Sequence, residues 1–96
     1  MNMLIEKEDR IAQVPGFLIS QMDNETVMMN MENGNYYNLG HTGGRIWELI
    51  ADPATTCEIV NTLCQEFEIN ELDCELQVNV FLQHLLQEKL IEIRKD

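Results

Sequence analysis

Two hydrophobic periods divide the chain at about Leu39: short apolar runs with a period of two before it, and apolar positions recurring every three or four residues after it. Phe17 to Met22 (FLISQM) is rich in β-formers and predicts a strand. Asp23–Asn24–Glu25 supplies a turn. Thr26 to Met31 (TVMMNM) predicts a second strand, with Val27, Met29 and Met31 on one face. Asn33–Gly34 is the strongest hairpin signal, because a type I′ turn needs two residues tolerant of positive φ. It leads into a third strand, Asn35 to Leu39. The expectation is a three-stranded antiparallel meander.

The helical half follows. Thr42 is placed to cap a first helix whose buried stripe is Ile46, Trp47, Leu49 and Ile50. Asp52–Pro53 ends it, since the residue before proline avoids the α region. Thr55-Thr-Cys-Glu58 fits a capping box, and a second helix runs to about Phe67 with Ile59, Val60, Leu63 and Phe67 inward. Asn70, with Asp73 three residues later, opens a third helix that runs to about Gln87. Leu90 to Arg94 (LIEIR) is a short last strand or a final turn. The fold class expected is α+β and winged helix-turn-helix-like, a three-stranded meander followed by three helices, over residues 16–96. Residues 1–15, mixed and polar, are expected to be a flexible arm or an edge segment that orders on binding.

Length and charge narrow the function. Ninety-six residues make one small domain with a single modest core. No apolar run approaches the roughly 18 residues of a membrane span, and the opening MNMLIEKEDR lacks the basic start and apolar stretch of a signal peptide. Three cysteines without paired spacing suit reduced thiols in a cytoplasm. Six basic residues against 17 acidic ones give a formal charge of −11. Such a chain is repelled by phosphate backbones and anionic membranes, and meets a basic or mixed-charge partner more easily.

Little here builds a catalytic or metal centre. Cys57 and Cys64 lie on one face of helix two, and Cys74 starts helix three; metal binding would want closer pairs with histidines. All three are expected to be small core thiols. His41 and His84 match no ligand spacing. Ser20 is the only serine and sits mid-strand, which also excludes a phosphopantetheine carrier. Gly43–Gly44 follows no phosphate-loop pattern. No cofactor is implied. Met22, Met28, Met29 and Met31 cluster in the first hairpin, with core filling expected for at least half of them.

Two features stand out. The third strand comes last in the meander, which puts it at a sheet edge with unpaired N–H and C=O groups. Its sequence, NYYNL, has no proline or lysine to block the addition of a peptide strand. On the third helix, Cys74, Phe81, Leu82 and Leu85 fall within about 60° of Val78 and form a core face. Leu76 and Val80 lie almost opposite, which a surface helix with one apolar stripe does not need. They imply a second apolar surface: a peptide groove, a protein partner or a dimer contact. A monomer or weak homodimer fits either use.

A family resemblance runs through the same residues. Tyr37-x-Leu39, Thr42, Ile46-Trp47-x-Leu49-Ile50 and Asp52 resemble the centre of the PqqD-like proteins, also called RiPP recognition elements. The spacing continues through Thr55-x-x-Glu58-Ile59-Val60-x-x-Leu63 and Val78-x-x-Phe81-Leu82-x-x-Leu85 to Leu90–Ile91, covering about residues 16–93. The doubled tyrosine before the T-G-x-x-I-W stretch is most similar to the leader-binding proteins of lasso-peptide clusters. Gly40 and Lys89 stand where the family often has Asn and Gly. The resemblance implies binding of the leader of a ribosomally made precursor peptide, as a strand added beside strand three and packed on helix three. By position, Tyr36, Tyr37, Asn38 and Leu39 supply the edge, and Leu76, Gln77, Val80, Phe81 and His84 the helix wall, with Phe81 also a core candidate. Glu71, Asp73 and Glu75 attract basic leader residues. The partners implied are a leader peptidase and a macrocyclising synthetase, with no nucleic acid and no membrane. The rivals are a winged-helix transcriptional regulator, which wants lysine and arginine on its reading helix, and a small hydrolase using His41 or His84.

Overall fold

In the computed structural model of the chain, residues 5–94 are described. The elements in order are β1 (Arg10–Gln13), β2 (Phe17–Met22), β3 (Glu25–Asn30), β4 (Tyr36–Leu39), α1 (Gly40–Leu49), β5 (Ala54–Thr55), α2 (Thr56–Phe67), α3 (Glu71–Gln87) and β6 (Ile91–Arg94). They form two antiparallel sheets, ordered β2-β3-β4 and β5-β1-β6, around three helices. The α+β, winged-helix-like arrangement read from the sequence is present. Among the described residues no helix is long and apolar enough to cross a membrane.

The meander is built by alternation. β2 and β3 pair from Phe17↔Asn30 to Met22↔Glu25, and β3 pairs with β4 through Met28↔Tyr37 and Met29↔Tyr36. Met28 and Thr26 face inward and are buried, whereas Val27, Met29 and Met31 share the opposite face. That face points to solvent, so core filling fails for three of the four methionines: Met22, Met29 and Met31 are exposed. The turn chemistry also differs from expectation. Asp23 and Asn24 both hold positive φ, 52° and 67°, and span the two-residue connection that a type I′ hairpin requires. At Asn33–Gly34 only Gly34 has positive φ. Side chains organise that longer loop instead: Asn30 Oδ1 accepts from the N–H groups of Glu32 and Asn33, and Asn33 Oδ1 from that of Asn35.

The arm assigned to residues 1–15 is in part a strand. β1 is the middle strand of its sheet, pairing from Arg10↔Arg94 to Gln13↔Ile91 on one side and with Ala54 and Thr55 on the other. Ile11 and Ala12 are buried. Pairing with the other end of the chain supplies the order that local sequence does not. Residues 1–4 of the arm lie outside the described residues.

The helices begin and end for identifiable reasons. α1 starts at Gly40 rather than at a Thr42 cap: Gly40 turns the chain at φ +74°, and its N–H donates to Asn38 Oδ1 at 2.8 Å. Its glycines permit close packing, since a Cβ at Gly44 would lie 2.6 Å from Thr26 Cβ on β3. α2 opens on the expected capping box between Thr55 and Glu58, whose hydrogen bonds from the Thr55 N–H and hydroxyl hold the Glu58 carboxyl below its usual pKa. Asn70 caps α3, accepting from the N–H groups of Leu72 and Asp73. Arg45 joins α1 to α2 through a two-pronged bond to Glu66, at 2.9 and 2.7 Å, which lowers the Glu66 pKa.

One core lies between these layers. Ile11, Met28, Ile46, Trp47, Ile50, Ile59, Leu63, Val78, Leu82, Leu85 and Leu90 are among its buried members. The core-thiol expectation holds for Cys74, which is buried, and for half-buried Cys64, but Cys57 is exposed on α2. Burial and neighbouring Cys64 push the Cys74 thiol up to about 11.

Candidate functional site

β4 ends its sheet, bonded to β3 on one side and, among the described residues, to no strand on the other. α3 does not close over that free edge. A groove of about 610 Å³ runs between them. One wall is Tyr37, Asn38 and Leu39 of β4, and the other is Leu76, Gln77, Val80, Phe81 and His84 of α3. Helical spacing puts residues 76, 80 and 84, and 77, 81 and 84, along one side of α3. Leu76 and Val80 are 66 % and 70 % exposed on the helix wall. With Leu72 a turn earlier, these are apolar residues that the core stripe of α3 leaves exposed.

The geometry gathers eight of the nine residues assigned to the edge and the helix wall. The exception is Tyr36, which alternation turns to the outer face of the sheet, opposite Met29. Its backbone still belongs to the β4 edge. Glu71, Asp73 and Glu75 lie outside the groove lining, in the first turns of α3 on the approach to Leu76. Carboxylates there also complement the positive end of the helix dipole.

Two floor residues went unassigned to the site. Leu85 and Leu90 close the groove from below and are buried. Leu85 carries only the core signal of its helix face. Leu90 is placed there by the turn that ends α3, where its N–H donates to the Leu85 carbonyl at 2.9 Å. Phe81 does serve core and groove together. Its ring divides the groove from a second cavity of about 160 Å³ that also touches Leu39, Gln77 and Gly43. Gly43 makes room for the ring tip, because a Cβ there would stand 2.8 Å from Phe81 Cζ.

The site offers main-chain hydrogen-bonding groups on one wall and apolar side chains on the other, with polar residues Gln77 and His84 on the helix wall. Nothing in it pairs a nucleophile with a base. His41, on the exposed side of α1, places Nδ1 3.1 Å from the Asn24 carbonyl oxygen and its ring edge-on to Phe67, away from the groove lining. His84 stands in the groove wall with no serine or cysteine among the lining residues.

Fold and groove define a class: a small winged-helix-like domain that presents an open strand edge beside an apolar helix. The family model described as coenzyme PQQ synthesis protein D (PqqD) matches residues 25–91, and the chain belongs to that family. Among solved structures, TbiB1 in complex with the TbiA(beta) leader peptide superimposes with a TM-score of 0.76 at 27 % identity, over 88 % of this chain and 99 % of that one. A lasso peptide synthetase B1 complexed with its leader peptide gives 0.74 at 20 % identity, over 85 % of this chain and 96 % of that one. The PqqD portion of Methylobacterium extorquens PqqCD, a stand-alone RiPP recognition element, gives 0.77 at 18 % identity, over 92 % and 94 %. The last two similarities concern the fold alone. A search of curated proteins returns no match.

Proposed function

We propose that this protein is a non-catalytic adaptor that binds the leader region of a ribosomally synthesised precursor peptide, of the lasso-peptide kind. The leader adds as a strand to β4, Tyr36–Leu39, and lays apolar side chains against Leu76, Val80 and Phe81. The observation that carries this reading is the free β4 edge facing two exposed aliphatic residues of α3 across one groove. Main-chain hydrogen bonds along β4 supply affinity tolerant of sequence, and the apolar wall supplies selectivity. Family membership and the leader-bound TbiB1 likeness support the same reading. Glu71, Asp73 and Glu75 favour a basic stretch in the leader. Holding the leader raises the local concentration of the precursor for a leader peptidase and a macrocyclising synthetase, in a cytoplasmic setting. The winged-helix regulator loses support on charge. α3 carries three carboxylates and no lysine or arginine, which repels a phosphate backbone.

Calorimetric titration with the leader of the cognate precursor tests the proposal. Binding is expected at one leader per chain. Val80→Asp is the cleaner variant, because Val80 is exposed and its loss leaves the core intact; Leu39→Asp is the companion on the other wall. Each is expected to cost about 2 kcal/mol or more, about thirtyfold in Kd. Unchanged affinity in folded Val80→Asp would remove α3 from the site.

A further inference from the structure

Glycine is less favourable than alanine inside a helix, so a glycine there calls for a local reason. α1 carries two in a row, Gly43 and Gly44, both buried. Gly44 has its reason in Thr26, which leaves no room for a side chain. The reason at Gly43 lies toward the groove. A Cβ there would stand 2.8 and 3.0 Å from Cζ and Cε1 of the Phe81 ring, and 3.3 Å from Leu39 Cβ. Those two neighbours belong to opposite walls of the groove, Leu39 to β4 and Phe81 to α3. Gly43 therefore sits behind the line where the walls converge.

The second cavity continues the groove past that line. Leu39, Gln77 and Phe81 line both spaces, and no residue lining the second cavity is charged. The Phe81 ring is the partition between them. Its helix is held in place, since Cys74, Val78, Leu82 and Leu85 of α3 are buried. β4 is held by its pairing with β3. The ring is thus the part that can yield. Carbon atoms pack at about 3.5–4.0 Å, so a methyl group at residue 43 drives the ring tip away by roughly 1 Å. The methyl group takes up the cavity side, which leaves the groove as the direction of movement.

We infer that Gly43 is a positioning residue for leader binding: by carrying no side chain it lets Phe81 lean back toward α1, and so sets how large an apolar leader side chain the groove takes between Leu39 and Phe81. The inference rests on the leader-binding reading of the groove. It adds to that reading a residue outside the groove lining, on a helix that supplies neither wall. Size selection then belongs to the pair, Gly43 behind the ring and the ring in front of it.

The test uses the full chain and the leader of the cognate precursor. Gly43→Ala is expected to bind that leader about tenfold or more weakly. A shorter side chain at position 81 removes the conflict, so Gly43→Ala/Phe81→Leu is expected to bind as Phe81→Leu does, with no further loss. A displacement of α1 as a whole would weaken both backgrounds equally, and that additive result overturns the inference. Wild-type affinity in folded Gly43→Ala overturns it too. Phe81→Leu alone gives a second reading that does not depend on the folding of Gly43→Ala, because it opens the groove into the second cavity. Leaders carrying leucine or tryptophan in turn at each apolar position are titrated against it and against the wild type. At one position the preference is expected to move toward tryptophan by about fivefold or more. An unmoved preference at every position overturns the inference. Failure of the wild-type chain to bind leader would instead strike the reading beneath it.

Discussion

Lys89 shows how one residue sets the floor of the groove. It holds φ +65° at the end of α3, where the N–H of Leu90 donates to Leu85 and that of Lys89 to Leu86, at 2.9 and 3.1 Å. These two bonds form a Schellman motif, which turns the chain through a left-handed residue and drops the following apolar side chain back on the helix. Leu90 is that side chain. A Cβ at a left-handed position costs about 1–2 kcal/mol, part of which a glycine gives back through the greater entropy of the unfolded chain. Lys89→Gly is therefore expected to raise stability by about 0.5–1 kcal/mol, seen as a higher urea midpoint at unchanged slope. A lower midpoint would mean that the lysine side chain holds the turn by its own contacts. Glycine, frequent at this place in the family, is the residue that the backbone asks for. Sequence alone flagged the departure but not its geometry, because neither φ nor the paired bonds are visible in the letters K-L.

Between elements, α1 approaches β3 closely. Gly44 meets Thr26, whose hydroxyl accepts from Gln21 Nε2 at 2.9 Å, and no side chain fits between them. Gly44→Ala forces the helix off the strand and is expected to destabilise by about 1–3 kcal/mol; thermal melting of the variant checks this, and an unchanged Tm would mean that the α1–β3 contact yields freely. The same pair of glycines in sequence had only a weak phosphate-loop reading to offer, since close approach depends on a strand brought from elsewhere. Helices two and three were legible because their caps are local: Thr55 with Glu58, and Asn70 with Asp73, announce themselves in four letters. The wall of the groove was legible for a related reason. The helical period assigns Val78, Leu82 and Leu85 to the core and leaves Leu76 and Val80 without a buried place. The hairpins were legible as strands but not as turns. Asp23–Asn24 and Asn33–Gly34 both tolerate positive φ, and the strand register chose the first for the tight turn. Register also decided which side of β3 is buried. Alternation put Val27, Met29 and Met31 on one face, but the choice of face waited for α1 to cover Thr26 and Met28.

For the whole molecule, the parts that escaped the sequence are β1 and β5 of the second sheet, whereas the segment of β6 was read as a last strand or a final turn. β1 is four residues in a polar stretch, and β5 is two. Neither has a local period to detect. Their order comes from pairing Arg10–Gln13 with Ile91–Arg94, two segments at opposite ends of the chain. That closure matters to the groove. Val14 N–H donates to the Leu90 carbonyl at 3.1 Å, and Gln13 Nε2 donates to the Trp47 carbonyl at 2.8 Å, so β1 ties the groove floor to α1. Ile11 is its fully buried anchor. Ile11→Ala removes a side chain from the centre of the core and is expected to cost about 2–5 kcal/mol, a large share of the 5–15 kcal/mol or so that a small domain has in total. Urea unfolding followed by Trp47 fluorescence measures it, since Trp47 is buried and is the only tryptophan. The loss should appear also as faster hydrogen exchange at Ile91 and Ile93, whose strand is held by β1. A change within about 0.5 kcal/mol, the range of an ordinary surface substitution, would mean that residues 10–13 are the loose arm that their composition suggests and that the groove floor stands without them.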